Sequence, residues 1–435
     1  FGENGELIFA SEIKAILASK LIKPKLSKKA LSHYFKYLYI NPLDSIYENI
    51  HTLAPSSFLC YKDDKIQEKR YFKYPSSQEI TLEDATEIFK NKFEKAVKNQ
   101  LVADVNVGAF LSGGLDSSSI VAVAKKYNGN LKTFSFGFEG SKSELSYANE
   151  IAKKYETDHY ELFVSDVNIA DMLYQMVDVY DEPFADSSNI PTYLISKLAR
   201  EHSKVILTGD GADELLGGYK WWYDPLIGIG KPTNYVKEIT YRIIGKALFK
   251  SYQYHAARLK YGRKYSSVLE AHKNRSLLFD HHEIRALLGN HDYDKKNNSF
   301  NEENNINDAL KVDLEDYLAG DILVKTDRAS MANSLELRSP FLDKDFASFC
   351  ISLPANLKIT SENDKLILRK SYESYWTKSI RKREKQGFGA PVNKWLLQKN
   401  IVELKHEYFK KQNLMFSIVS FEEAKKYFLK DNYQT

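Results

Sequence analysis

The chain has 435 residues, 43% of them hydrophobic and 28% charged, with a formal net charge of +4. That length suggests about two or three domains with a sizeable core, and so small an excess of positive charge gives no basis for nucleic-acid binding. Cys60 and Cys350 lie far apart without metal-type spacing, and no apolar stretch reaches membrane-spanning length, so the expected setting is cytoplasmic and reducing, with no disulfide framework, signal peptide or membrane partner.

Residues 1–75 differ in composition from the rest of the chain. Glu6–Ala10 is strand-like, Glu12–Leu17 reads as a short helix, and Ser27–Tyr37 as a helix with Ser27 at its N-cap. Leu53–Tyr61 and Ile66–Tyr71, joined by the polar turn Lys62–Lys65, predict a hairpin. A segment of this size encloses little core alone. With Phe1 in place of a start methionine, at the head of a hairpin entered midway, the expectation is the closing part of a larger, N-terminally truncated domain.

From about Thr81 the pattern alternates. A helix over Leu82–Gln100 leads into a buried strand, Val105–Leu111, then a Ser/Gly-rich turn, then an apolar helix opening at Ser119. Strand Leu131–Phe138, helix Glu144–Tyr155 and strand His159–Val164 come next. Helices Val167–Tyr180 and Ile190–His202 precede strand Lys204–Thr208. Alternating βα units predict a parallel sheet with helices on both faces and ligands at the carboxyl ends of its strands. Residues 219–320 lose the alternation and are helix-prone, with Asn-rich Asp292–Asn307 reading as a surface loop. His281, His282 and His291 lack metal-ligand spacing and read as surface histidines. Beyond Asp321 the chain is predicted mostly helical.

Five motifs carry chemistry. In Phe110-Leu-Ser-Gly-Gly-Leu-Asp-Ser-Ser118, strand, glycine turn and helix aim backbone N–H groups and a positive helix end at one point, where an anion belongs. Gly113 and Gly114 admit close approach of oxygens, and Ser112, Ser117 and Ser118 offer hydroxyls. Asp116 repels a bare phosphate and makes sense beside Mg²⁺. The spelling is neither a Walker A loop nor a dinucleotide fingerprint. The second motif, Leu207–Tyr219, gathers Asp210, Asp213 and Glu214. Such a like-charge cluster calls for a cation or a proton transfer, although a turn with solvated carboxylates has the same spelling. The third, Asp321–Asp343, interleaves charged and apolar residues on a helix running to about Leu335, as an exposed amphipathic helix also does. The fourth, Lys365–Arg369, sets a lysine and an arginine one turn apart on one helix face. The fifth, Arg381–Pro391, is either a solvated basic face or a mobile basic lid over a phosphate site.

With these pieces in this order, the chain resembles the glutamine-dependent asparagine synthetases over essentially all of residues 1–400. Ser112-Gly-Gly-Leu-Asp-Ser117 alone is shared with GMP synthetases, NAD synthetases and tRNA-modifying enzymes. Gly209-Asp-Gly-Ala-Asp-Glu214, Asp327-Arg-Ala-Ser-Met331 with Glu336-Leu-Arg-Ser-Pro-Phe-Leu-Asp343, and Lys365-Leu-Ile-Leu-Arg369 make the likeness specific. The resemblance implies an α/β, parallel-sheet synthetase domain over residues 76–435, of the adenine-nucleotide α-hydrolase-like or PP-loop ATP pyrophosphatase type. Ahead of it, residues 1–75, with Ala10-Ser-Glu-Ile-Lys-Ala15, resemble the C-terminal remnant of an α+β N-terminal-nucleophile glutaminase domain. The nucleophilic cysteine of that domain is absent, since Cys60 falls on a hairpin strand. The chain as written is therefore expected to use ammonia, with glutamine as the donor of the full-length protein.

The implied reaction has two steps. Aspartate's side-chain carboxylate attacks the α-phosphorus of ATP to give β-aspartyl-AMP and pyrophosphate, and ammonia then attacks the activated carbonyl. By the same resemblance, Phe110, Leu111, Ser112, Gly113, Gly114, Leu115, Asp116 and Ser117, with Phe136, Thr208 and Gly209, hold ATP and pyrophosphate, and Asp116 and Asp213 bind Mg²⁺. Asp210, Lys365, Asp116 and Arg369 are the implied catalytic residues, and Glu214, Arg328 and Arg338 the substrate contacts. Asp210 stands where many family members carry Glu, and its role stays open between supporting adenylation and taking a proton from the amine. A homodimer is one arrangement the resemblance allows. Another acceptor also stays open, as in a β-lactam or peptide cyclase or a sugar-carboxylate amidotransferase, because only the acceptor pocket differs.

Overall fold

The computed structural model describes residues 7–63, 65–138, 142–164, 167–232, 234–247, 250–274, 278–289, 300, 302–383 and 390–428. Strands β1 (Ser57–Lys62) and β2 (Lys65–Arg70) form the predicted hairpin, antiparallel from the Ser57–Arg70 pair to the Lys62–Lys65 pair. Strands β3 (Val107–Phe110), β4 (Lys132–Phe138), β5 (Asp158–Val164), β6 (Val205–Leu207) and β7 (Glu336–Arg338) form one sheet. All its pairings are parallel, in the order β5-β4-β3-β6-β7. The chain steps outward from β3 to β5 and then returns to lay β6 on the other side of β3. That reversal opens a crevice at the carboxyl ends of β3 and β6, the place where open α/β sheets bind ligands.

The middle strands are covered on both faces, Val107–Ala109 and Thr133–Phe138 being buried throughout. This accounts for their near-continuous apolar sequence. On one face the helix Leu82–Gln100, capped by the Thr81 hydroxyl accepting from Asp84 N at 3.2 Å, presents Phe89, Phe93, Ala96 and Val97 at helical spacing. They meet Phe341, Phe346 and Tyr372 from the distant C-terminal region in one core. Each phenylalanine removed from water there contributes about 1.5–3 kcal/mol. On the other face Phe134, Phe136 and Phe138, alternate residues of one strand, pack on Ile195 and Ala199 of the helix Asn189–His202.

Four expectations change. The helix after β3 begins at Leu115, with Gly114 as N-cap, so Asp116 and Ser117 lie in its first turn and not in a loop before it. The third motif is not a helix to Leu335: a π-helical turn over Leu318–Ile322 runs into the helix Leu323–Met331, which ends there. Ser334 then takes a positive φ of 55° and the chain enters β7 beside β6, where pairing satisfies its backbone groups. Lys365 is not within a helix but caps one, Leu366–Tyr372, with φ of 47°. Residues 7–10 form no strand, and Glu6 lies outside the described residues.

Residues 219–320 are helical as predicted, from Lys220–Tyr223 to Ile306–Glu315. His281 and His282 are exposed at the start of the helix His281–Leu288, behind an Asp280 capping box, while His291 and most of Asp292–Asn307 lie outside the described residues. Residues 7–75 lean on the rest of the fold: Ala185 N donates to Leu38 O at 2.9 Å, Ile46 N donates to Glu182 at 2.5 Å, and Leu31 and Phe35 pack on Ile284 and Leu287. Among the described residues no helix is long and apolar enough to cross a membrane.

Candidate active site

A cavity of about 420 Å³ opens at the crevice between β3 and β6. Its floor is the first motif. Gly113 has φ of 67°, and a Cβ on it would stand 2.5 Å from Tyr147 Cβ and 2.7 Å from Ala148 N, so the turn can close only on glycine. The Ser112 and Ser117 hydroxyls lie 3.2 Å apart at the head of the helix Leu115–Tyr127. Helix start, glycine turn and hydroxyls therefore converge where anionic oxygens are best held.

The second motif supplies the facing wall. Thr208 Oγ1 donates to Asp210 Oδ2 at 2.7 Å, and Ser339 Oγ donates to the Asp210 carbonyl at 2.5 Å. Asp213 and Glu214 sit in the short helix Ala212–Leu216, both buried. Glu214 accepts from Tyr219 Oη at 2.6 Å, and burial, aided by the charge of Asp213, pushes its pKa up to about 7. Gly218 has no room for a side chain, because Asp213 and Lys365 occupy the space a Cβ would need.

Lys365 joins the two walls. Its Nζ lies 2.6 Å from both oxygens of Asp116 and 2.7 Å from Asp213 Oδ1, with the residue 2% exposed. Burial alone would lower its pKa, but the two carboxylates outweigh that and raise it, so the ammonium is held charged. Asp116 and Asp213 thus aim hard oxygen donors at one point, the donor type Mg²⁺ shares with phosphates, and the lysine ammonium stands at that point. Among the described residues no cluster of three or more His, Cys, Asp or Glu side chains forms a metal site.

All of Phe110–Ser117, with Phe136, Thr208, Gly209, Asp210, Asp213, Glu214, Lys365 and Arg369, line this one cavity. Arg369 lines it with its guanidinium committed elsewhere, to Asp364 Oδ1 at 2.5 Å and to the Arg381 carbonyl at 3.3 Å. Arg328 and Arg338 are not brought into the cavity lining. Arg328 lies 3.3 Å from Glu12 Oε1, and Arg338 is tied to Glu336 and to the carbonyls of Gln100 and Val102. From the fifth motif, Arg383 donates to Ser112 O at 2.8 Å and lies 4.8 Å over the Tyr147 ring. The Gly-Phe-Gly that would make a lid falls in residues 384–389, outside the described residues.

Sequence reasoning missed Asp186 and Lys325, which line the same cavity and pair at 2.7 Å. The available signal was the spacing of Asp321 and Lys325, four residues apart within an otherwise apolar run. Cys60, exposed on β1, is not among the lining residues.

Comparison with known proteins identifies the family. Residues 89–432 match the asparagine synthase family and residues 1–72 the glutamine amidotransferase domain. Asparagine synthetase (glutamine-hydrolyzing) 1 of Bacillus subtilis is 32% identical over 412 residues, 90% of this chain and 63% of the relative. A putative asparagine synthetase of Mycobacterium tuberculosis H37Rv is 31% identical over 398 residues, 87% of this chain and 60% of its own. One from Methanocaldococcus jannaschii is 36% identical over 226 residues, 50% of this chain and 44% of its own. The chain thus spans less than two thirds of the length of these curated relatives. A solved NMN synthetase from Francisella tularensis overlaps 32% of this chain and 59% of its own at 15% identity, with a TM-score of 0.24, and nothing further rests on it. The family match covers the glycine turn after β3, the acidic motif, Lys325 and Lys365 together, and the chain belongs to the asparagine synthase family.

Proposed function

We propose that this chain catalyses ATP-dependent amidation of aspartate to asparagine through a β-aspartyl-AMP intermediate. The observation that carries the reading is the convergence of Asp116, Asp213 and Lys365 over an anion-binding loop at the sheet's switch point. The N–H groups at the start of the helix Leu115–Tyr127 and the hydroxyls of Ser112 and Ser117 bind the β and γ phosphates. Phe136, Thr208 and Gly209 frame the adenosine beside them. Asp116 and Asp213 would hold Mg²⁺, which supplies charge neutralisation to the departing pyrophosphate when bound.

Lys365 keeps a permanent positive charge over the phosphates, which favours the transition state in which negative charge builds on the leaving group. Its left-handed backbone and the close fit of Gly218 fix the ammonium in place. Asp210, oriented by Thr208, stands ready to take a proton from the amine that attacks the adenylate. Arg369 acts at one remove, fixing Asp364 and so the next residue in the chain, Lys365. The amidotransferase match at residues 1–72 supports glutamine as a nitrogen donor, and ammonia supplied directly tests the amidation step by itself.

The test is release of AMP and pyrophosphate from ATP by the purified chain. We expect it to require aspartate, with asparagine appearing once ammonia is added, and Asp116→Ala to abolish aspartate-dependent ATP–pyrophosphate exchange. Turnover indifferent to aspartate would overturn the reading.

A further inference from the structure

In the lining of the same cavity lies a buried ionic cluster to which the reaction so far gives no task. The Asp186 carboxylate accepts from Ser188 N at 2.8 Å and Ser188 Oγ at 2.7 Å through one oxygen, and from Lys325 Nζ at 2.7 Å through the other. Burial would raise its pKa, but Lys325 and the Ser188 contacts prevail and hold it down at about 2, so Asp186 is ionised. Lys325 is 8% exposed and lines the cavity. An ammonium has three donors, and among the described residues Asp186 is the one side chain that accepts from this one.

Behind the pair is Asp321, 6% exposed, whose Oδ1 is buried with no hydrogen-bond partner among the described residues. Burial, then the neighbouring Asp186 charge, push its pKa well above the ordinary carboxylate value. Asp321 lies in the π-helical turn Leu318–Ile322, and Lys325 follows one turn later in the helix Leu323–Met331. Burying a lysine with unused donors is unfavourable unless a ligand accepts them. Of the other cations lining the cavity, Lys365 is committed to Asp116 and Asp213, Arg369 to Asp364, and Arg383 to the Ser112 carbonyl on the loop side.

We propose that Lys325, aimed by Asp186, binds the carboxylate of the amino-acid acceptor that is not activated, and so selects an acceptor carrying two carboxylates. One carboxylate then docks on Lys325 while the other faces the phosphate loop. Asp186 is a positioning residue, and its ionised carboxylate also faces the acceptor's ammonium group. This subsite rests on the reading of the chain as an aspartate-adenylating enzyme.

The experiment uses the full chain in ATP–pyrophosphate exchange, with aspartate and with β-alanine, which is aspartate without its α-carboxylate. Because Lys325→Met alone leaves Asp186 charged and unpaired, the double variant Lys325→Met/Asp186→Asn is made as well. Both are expected to raise KM for aspartate roughly 10- to 100-fold, the worth of a lost charge-assisted hydrogen bond. KM for ATP should stay within about twofold, and in Lys325→Met the preference for aspartate over β-alanine should fall by the same factor as the aspartate KM rises, whereas the double variant, having also lost the carboxylate that faces the ammonium group, should bind β-alanine more weakly as well. An unchanged aspartate KM, or equal loss with aspartate, β-alanine and ATP, overturns the subsite and leaves a structural ion pair. If the wild-type chain shows no aspartate-dependent exchange, the adenylation reading falls first and the subsite with it.

Discussion

At the scale of single residues, the cleft depends on one cation between two carboxylates. Lys365 reaches Asp116 and Asp213 from a left-handed backbone position, tying the first turn of the helix after β3 to the short helix after β6. Removing it in Lys365→Met strands the buried Asp213 and the largely buried Asp116, an arrangement that costs about 3–5 kcal/mol when one partner of a buried pair is lost. It also removes the fixed charge over the phosphates, so exchange should fall roughly a thousandfold. The two losses separate when Lys365→Met/Asp213→Asn, which relieves the repulsion, is compared with Asp213→Asn alone: its urea midpoint should recover relative to Lys365→Met while its exchange rate stays well below that of Asp213→Asn. An exchange rate equal to that of Asp213→Asn would mean that Lys365 is only a structural counter-ion.

Among the elements, the contact between residues 7–75 and the synthetase core has a titration of its own. Glu182 lies just beyond the helix Ile169–Tyr180 and accepts from Ile46 N, and burial pushes its pKa from the ordinary glutamate range up to about 7. A carboxyl whose folded pKa is raised binds its proton more tightly in the folded state. Its stabilising contribution is therefore complete below pH 4.5 and is lost as pH rises through about 7. Its size is at most about 3 kcal/mol. Glu182→Gln should flatten that part of the stability–pH profile in urea titrations tracked by tryptophan fluorescence, and an unchanged slope would place the group elsewhere. Legibility in the sequence also differs from element to element. Strand–glycine–helix after β3 is legible because period and turn chemistry agree locally, even though the helix starts at Leu115 and not at Ser119. Strand β7 is not, because Glu336-Leu-Arg338 owes its conformation to pairing with β6 and not to its own propensity. Lys325 is hidden in a run where a buried charge and a solvated one look alike. Its neighbour Arg328 has the more conspicuous spelling, yet it turns away to Glu12.

On the scale of the whole molecule, the cavity is built from parts far apart in sequence: the loop after β3, the loop after β6, the turn at Leu318–Ile322 and the cap at Lys365. These parts also share one core, since Trp376 Nε1 donates to Ser119 Oγ at 3.1 Å and Phe93 packs on Phe341 and Tyr372. A ligand that touches the loops on both sides of the switch point therefore stabilises the fold as a unit. At a nucleotide concentration about 100 times Kd, the folded state gains about 2.7 kcal/mol. Taking about 2.1 cal/mol/K per residue for the entropy of unfolding, a chain of this length should then melt about 3 °C higher. ATP with Mg²⁺ is expected to produce that shift in the wild-type chain, and aspartate to extend it when added with a non-hydrolysable ATP analogue. In Gly113→Ala, where the new Cβ collides with Tyr147, the nucleotide shift should vanish while the cavity's far wall is untouched. If Gly113→Ala melts with the full wild-type shift, the nucleotide does not sit on the loop after β3, and the assignment of the cleft falls with it.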